Sequence, residues 1–377
     1  MKRLIGFELR KILNRRVIIA ILGCLALTVF YFIQTRHSEP NSLLTAYREN
    51  PKLVSSHEGP IQPALAKKYE PRLYETSASF YPGPHEEVMK RVLEQEYAGS
   101  AYQSDLFKAE LNELRKDKRQ LESSGETNTF AYKDMQKKLR MLDDVKTPGF
   151  YVTDVWRDLI YYIASPPGSL FIGLIMVLAL CSLYSGEAGH RMDALILSSR
   201  KGRLPIVRAK LLAGLIFTIG WVTVFFGVSV LASCLPYGFL RWDAPLNSLY
   251  LYRTSPYDWT LIQGFLLLYA MTLLGACGLC LFTALISASL KSSLSSLGLA
   301  AVLVFLPLFS FPGILGKWIA FFSTSIMSNT SLIGSYKSFN VFGYPVLYLP
   351  LAIVSSVALA AVALALIPKA FARRLRV

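Results

Sequence analysis

Ionisable side chains are missing from the long apolar stretches of this chain. Six such stretches run through its 377 residues, and none contains Asp, Glu, Lys, Arg or His; the nearest approach to a strongly polar group is Gln263. Ion-coupled carriers and proton pumps place ionisable groups within the bilayer, where they are costly and mark the ion path. Their absence argues against a self-powered secondary carrier. Acidic residues are also scarce outside one region. Residues 34–163 hold 19 Lys/Arg and 20 Asp/Glu, whereas the remainder holds 21 Lys/Arg and 5 Asp/Glu. The net charge of +15 is therefore not an even basic surface for nucleic acid. It is basic charge beside apolar runs, which is a topology signal.

Cysteine is equally informative by where it does not occur. Cys24, Cys181, Cys234, Cys277 and Cys280 all lie in or at the ends of apolar runs, so the long polar segment is not stapled by disulfides. Cys277 and Cys280 form a CxxC inside an apolar stretch with no second ligand pair nearby, and read as small buried hydrophobes. No catalytic or metal-binding set appears either. The run from Gly313 to Lys317 and Trp318 is too short for a phosphate loop and has Trp where Ser or Thr would hold magnesium. His57-Glu58 and His85-Glu86-Glu87 lack a second His four residues after the first. No Gly-x-Ser-x-Gly elbow is present. The chain carries no cofactor site and no enzyme chemistry of its own.

What is present is a hydrophobic content of 53% with only 17% charged residues, bunched in runs long enough to cross a bilayer. These predict an all-α polytopic membrane protein with six transmembrane helices, near 17–33, 168–184, 211–235, 259–290, 294–311 and 346–367. Residues 1–33 form a cytoplasmic interfacial helix, striped by Leu4, Ile5, Leu9, Ile12 and Leu13, and the first span. Residues 34–164 form an extracytoplasmic, largely helical domain between helices 1 and 2. Its first part is interrupted by seven prolines from Pro40 to Pro84. Its second part carries two helical stripes, Phe107, Leu111, Leu114 and Leu121, then Tyr132, Met135, Leu139 and Leu142. Val152, Val155, Trp156, Leu159 and Ile160 make an amphipathic approach to the bilayer. Residues 165–377 form a five-helix transmembrane region with a cytoplasmic loop at 185–210. The segment from Pro312 to Pro345 is too short in apolar residues to cross and is expected to dip into, or lie along, the outer surface. Trp242, Tyr250, Tyr252, Tyr257 and Trp259 supply an aromatic belt.

Orientation follows from the basic residues. With the N-terminus inside, cytoplasmic pieces hold 17 Lys/Arg, and the two short external loops hold only Arg241, Arg253, Lys317 and Lys337. Both termini are then cytoplasmic. The most charged cytoplasmic piece is the bridge between the second and third spans, with Arg191, Arg200, Lys201, Arg203, Arg208 and Lys210 set against Glu187 and Asp193.

In its internal order this bridge resembles the corresponding region of permease subunits of ABC-2 type exporters. The matching residues are Glu187 just after the span, Gly189 in a turn, the acidic-apolar stretch Asp193, Leu195 and Leu197, then Ser199, Arg200 and Arg203, and Lys210-Leu211 entering the third span. The basic N-terminus, the six spans and the semi-apolar segment before the last span are similar as well. The insert of some 130 residues departs from compact members and is similar to that of a bacterial subgroup, and the turn proline comes late, as Pro205. The resemblance implies a bacterial cell-membrane machine of two permease subunits, homo- or heterodimeric, with cytoplasmic ABC ATPase subunits that bind the ATP. Glu187, Gly189, Arg191, Asp193, Leu195, Leu197, Arg200, Lys201, Arg203 and Lys210 are the residues expected to couple to the ATPase. No substrate-binding residue is identified. Basic side chains steer and orient a partner while an apolar core supplies affinity; they also hold anionic lipid, at about 1 kcal/mol each. A large insert equally suits a mechanotransmission subunit that acts on extracytoplasmic partners without moving a substrate.

Overall fold

Asn14 divides the first two helices. α1 (Lys2–Ile12) turns Glu8 and Ile12 inward. It stops where the Asn14 side chain accepts a hydrogen bond from the Val17 amide at 3.1 Å and caps the next helix. α2 (Arg15–Ser38) is then a single apolar helix of 24 residues, about 36 Å long and so able to cross a hydrocarbon core of about 30 Å. The computed structural model describes every residue except 39–40, 76, 78–82, 187–203, 310, 328–330 and 375–377.

The insert is helical. It comprises α3 (Leu43–Glu49), α4 (Pro51–Ser55), α5 (Pro63–Tyr69), α6 (His85–Ser123) and α7 (Phe130–Asp143). Its prolines start helices as well as stopping them. Pro51 and Pro63 stand in first turns, where the missing amide hydrogen has no partner to lose. The two expected stripes meet: Phe107, Leu111 and Leu114 of α6 pack with Leu139 and Leu142 of α7. Nearer the turn, Leu121, Tyr132 and Met135 stay half-buried, and the Tyr132 hydroxyl donates to Glu122 at 2.9 Å. A larger cluster that includes Leu44, Val54, Tyr69, Val92, Tyr97 and Phe150 joins α3–α6 to the strand-like lead into the bundle.

α8 (Asp154–Ala164) and α9 (Pro166–Leu180) are a pair of apolar helices bent by 46° at Ser165, the form of a broken span or a re-entrant loop. Pro166 and Pro167 supply no amide donors and pre-set the backbone for a new first turn, so they end one helix and begin the next. Gly168 is required at the bend, since a Cβ there would lie 2.5 Å from the Tyr162 carbonyl oxygen. α8 is less a bilayer approach than core: Val155, Trp156, Leu159 and Ile160 are all buried. It is tied to its surroundings by the Trp156 indole, which donates to the Leu240 carbonyl at 2.7 Å, and by an Arg36–Asp158 ion pair at 2.7 Å.

α10 (Leu204–Cys234), α11 (Leu261–Ser289) and α16 (Tyr348–Arg374) complete the long helices. With α2 they give, among the described residues, four helices long and apolar enough to cross a membrane, or five when the bent pair is counted as one span. The fifth expected span, at 294–311, is the shorter α12 (Ser293–Phe305), 13 residues followed by a 3-10 turn at Leu306–Leu308. Pro307 and Pro312 stop it from continuing. After it come α13 (Gly313–Ala320), α14 (Ser323–Met327) and α15 (Ser331–Gly334). α14 dips inward: all five of its residues are buried. It rests against Gly275 and Gly278, near the middle of α11. Tyr252, expected in an aromatic belt, is instead 1% exposed, packed beneath Gly334.

An all-α reading misses one element. β1 (Ser338–Val341) pairs antiparallel with β2 (Tyr344–Leu347). Phe342 and Gly343 turn the hairpin with φ of 52° and 83°, the sign pattern of a type I′ turn. Phe-Gly lacks the Asn-Gly or Asp-Gly signature by which such turns are read. The hairpin is bound to the insert. Asp134 accepts from the Tyr336 hydroxyl at 2.8 Å and the Ser338 hydroxyl at 2.5 Å, and Lys137 donates to the Pro345 carbonyl at 2.8 Å. Burial and the Asp134 carboxylate together raise the Tyr336 phenol above its usual pKa. Asp134→Ala leaves two hydroxyls without their acceptor, a loss of about 1–3 kcal/mol. Amide hydrogen exchange across 336–347 is expected to accelerate accordingly, and unchanged protection would refute this anchor.

Candidate coupling site at the base of the charged bridge

Nine of the ten residues expected to couple, Glu187, Gly189, Arg191, Asp193, Leu195, Leu197, Arg200, Lys201 and Arg203, lie outside the described residues. The tenth, Lys210, is described, and so are both ends of the bridge.

Lys210 sits in the second turn of α10 and is 1% exposed. Withdrawing an ammonium from water costs several kcal/mol unless charge and hydrogen bonds replace the solvent. Here the replacement is supplied from two other segments. Lys210 Nζ lies 3.1 Å from Glu8 Oε2 and donates to the Leu183 carbonyl at 2.8 Å. It also lies 5.6 Å from the centroid of the Tyr184 ring. Glu8 is itself 4% exposed. The Lys210 side chain therefore points into the bundle and binds α1 to α10 and to the end of α9. Arg208, two places back and so on the opposite face of the helix, is exposed.

Tyr184, fully buried, is the centre of the arrangement. Its hydroxyl donates to the Val207 carbonyl at 3.2 Å, closing the two ends of the bridge on each other. Its amide donates to Ser287 Oγ of α11 at 3.0 Å, and its ring packs on Phe371 of α16 with centroids 5.5 Å apart. Ser185 extends the set. Its amide also donates to Ser287 Oγ, at 3.1 Å, and its hydroxyl donates to the Cys181 carbonyl at 2.8 Å and lies 3.2 Å from Ser293 Oγ at the start of α12. Two adjacent residues at the exit of α9 thus touch α10, α11, α12 and α16, and Lys210 adds α1.

Such a knot does chemistry of position only. Among the described residues, no three His, Cys, Asp or Glu side chains gather as a metal site would require. All five cysteines are free thiols. What the knot can do is turn a pull on the bridge into a joint movement of several helices, because its polar groups are buried and each has a fixed partner. Sequence reasoning missed Glu8, Tyr184, Ser287 and Ser293 as members of it. Glu8 alone left a signal: it is the one acid among the six basic residues of the first 16, and it falls on the apolar stripe between Ile5 and Ile12. The serines sit in apolar runs where a hydroxyl is unremarkable until its partner is known.

Comparison with curated proteins and with solved structures gives no significant match to the chain. The family model described as ABC-2 family transporter protein, however, matches residues 4–373, nearly the whole length, and the chain belongs to that family.

Proposed function

We propose that the chain is the permease subunit of an ABC exporter, driven by a separate cytoplasmic ATPase that docks on the bridge at 185–210. Its membership of the family and its long apolar helices make it a multi-pass membrane protein and a permease subunit of an ABC transporter. The observation that favours docking on the bridge is the clamp at its base: Tyr184 to Val207, and Lys210 to Leu183 and Glu8. Closure of two ATPase subunits around ATP displaces the bridge. Because its ends are held together, α9 and α10 move as a pair, carrying α1 through Glu8 and α16 through Phe371. Glu187, Gly189, Arg191, Asp193, Leu195, Leu197, Arg200, Lys201 and Arg203 form the docking surface, with the basic residues orienting an acidic partner groove. Lys210 acts behind that surface, as the brace. A second permease subunit, identical or related, completes the pathway. Both termini lie in the cytoplasm, and residues 34–164 lie outside it.

The insert supports a second reading. Asp134 and Lys137 hold the hairpin that leads directly into α16, so movement of the bundle reaches the insert mechanically and could act on an external partner without a substrate crossing.

One experiment addresses docking and orientation together. A cysteine at Ser199 is expected to react with an impermeant maleimide in inside-out vesicles and not in intact cells, and to be shielded when the ATPase is bound. Neutralising Arg200, Lys201 and Arg203 to Gln is expected to abolish the shielding while leaving the protein in the membrane. Labelling in intact cells would overturn the orientation, and full shielding in the neutralised variant would overturn docking through these charges.

A further inference from the structure

Below the insert, a cavity of about 790 Å³ opens beside the far end of α12, a volume within the range of small-molecule sites. Four phenylalanines from separate segments line it: Phe130 at the start of α7, Phe309 and Phe311 after α12, and Phe339 in β1. Two cations share the lining, Lys317 of α13 and Lys337 just before β1, and no Asp or Glu lines it. Neither lysine has an acidic partner among the described residues. Lys337 is only half-buried, yet its ammonium leans over the Tyr348 ring at 4.7 Å and lies 5.9 Å from the Phe339 centroid, the contacts a cation takes where carboxylates are lacking. Loss of water depresses its pKa below the usual lysine value. A third polar group points the same way. Ser325 of α14 is 8% exposed, lines the cavity, and its hydroxyl has no hydrogen-bond partner. Buried hydroxyls without partners are rare and call for a ligand or water.

Exposed apolar side chains gather beside the cavity. Phe305, Leu308, Phe309 and Trp318 are all exposed there, Trp318 by 73%. α12 rises about 20 Å from its start at Ser293 before its closing 3-10 turn, which sets this rim near one edge of the hydrocarbon core, the depth that Trp favours. An occupant must therefore be apolar along its length, reach the site from the bilayer, and end in a negative charge.

We propose that this cavity binds an anionic phospholipid from the leaflet on the insert side, with acyl chains against the phenylalanines and the phosphate met by Lys317, Lys337 and the Ser325 hydroxyl. The site is independent of the ATPase and of any transported substrate.

The test uses the full-length protein in nanodiscs doped with a phosphatidylglycerol bearing a diazirine on its acyl chain. Illumination is expected to label peptides covering 307–320 and 337–340. Lys317→Gln/Lys337→Gln is expected to lower that labelling about tenfold or more, one charge-assisted contact being worth about a decade in affinity, and Lys317→Arg/Lys337→Arg to restore it. An equivalent phosphatidylcholine probe is expected to label these peptides weakly, and soluble glycerol phosphate is expected not to compete. Equal labelling by the zwitterionic probe, undiminished labelling in the glutamine variant, labels mapping elsewhere, or displacement by glycerol phosphate alone would each overturn the proposal. A glutamine variant that loses labelling without arginine rescue would also overturn it, since the charge would then not be what binds.

Discussion

Lys210→Met is expected to destabilise the purified protein by about 3–5 kcal/mol, whereas Glu8→Gln combined with Lys210→Met recovers most of that loss. The asymmetry is the signature of a buried ion pair. Removing one member strands the other charge away from water, while replacing both removes the desolvation penalty along with the attraction. Glu8 at 4% and Lys210 at 1% exposure meet that condition. Recovery is not complete, because the Leu183 carbonyl loses its donor in the double variant, at about 1 kcal/mol. Thermal unfolding in detergent measures both variants. A single variant that unfolds at the wild-type temperature would show that the pair is not buried in the working protein. The double variant also separates two roles. If the clamp carries force, permease-dependent ATPase stimulation falls in the double variant although its stability is near normal; if the pair only stabilises, stimulation returns with stability.

Gly275→Leu should expel α14 from the bundle. A Cβ at Gly275 would stand 2.6 Å from both the Ser323 carbonyl oxygen and Met327 Cγ, and the first of these is backbone that cannot swing aside. Even Gly275→Ala, which gains up to about 1 kcal/mol in helix propensity, is expected to be net destabilising, since overpacking a tight contact costs about 1–3 kcal/mol. Gly278→Ala meets the Ser323 hydroxyl, which can rotate away, but also Ser323 Cβ at 2.9 Å, which rotation does not move, so it too should destabilise, though less than a clash with a backbone carbonyl. The readout is a cysteine at Ile326, which is 1% exposed. It is expected to resist alkylation in the parent protein and to react rapidly in Gly275→Leu. Continued resistance would mean that the bundle absorbs a leucine there and that α14 does not depend on the glycine gap.

Much of this architecture was legible because it rests on periodicity and on runs. The stripes of α6 and α7 named Phe107, Leu111, Leu139 and Leu142, and those residues form one cluster. The apolar runs located the four long apolar helices α2, α10, α11 and α16. What was not legible depends on partners distant in sequence. Val155 to Ile160 read as an amphipathic approach to the bilayer because the double proline at 166–167 hides that α8 continues into α9 as a bent pair packed in the core. The length of the fifth apolar run suggested one long regular helix, but its α-helix ends after 13 residues and passes into a 3-10 turn that contains Pro307. The hairpin turn at Phe342-Gly343 uses a residue that rarely takes positive φ. For the coupling site, composition marked the bridge as charged and placed Lys210 in it. Only the fold reveals that Lys210 faces Glu8, some two hundred positions earlier.

The closed base of the bridge also bears on how such proteins can diversify. Where the two ends of a segment are already held together, lengthening the chain between them adds little loop-closure entropy, about 0.6 kcal/mol for each doubling. The stretch between Ser185 and Val207 can then be exchanged as a cassette, with different lengths and charges, while Tyr184, Ser185, Lys210 and Glu8 keep the bundle unaltered. A permease built this way could change the motor it answers to without changing the pathway it opens.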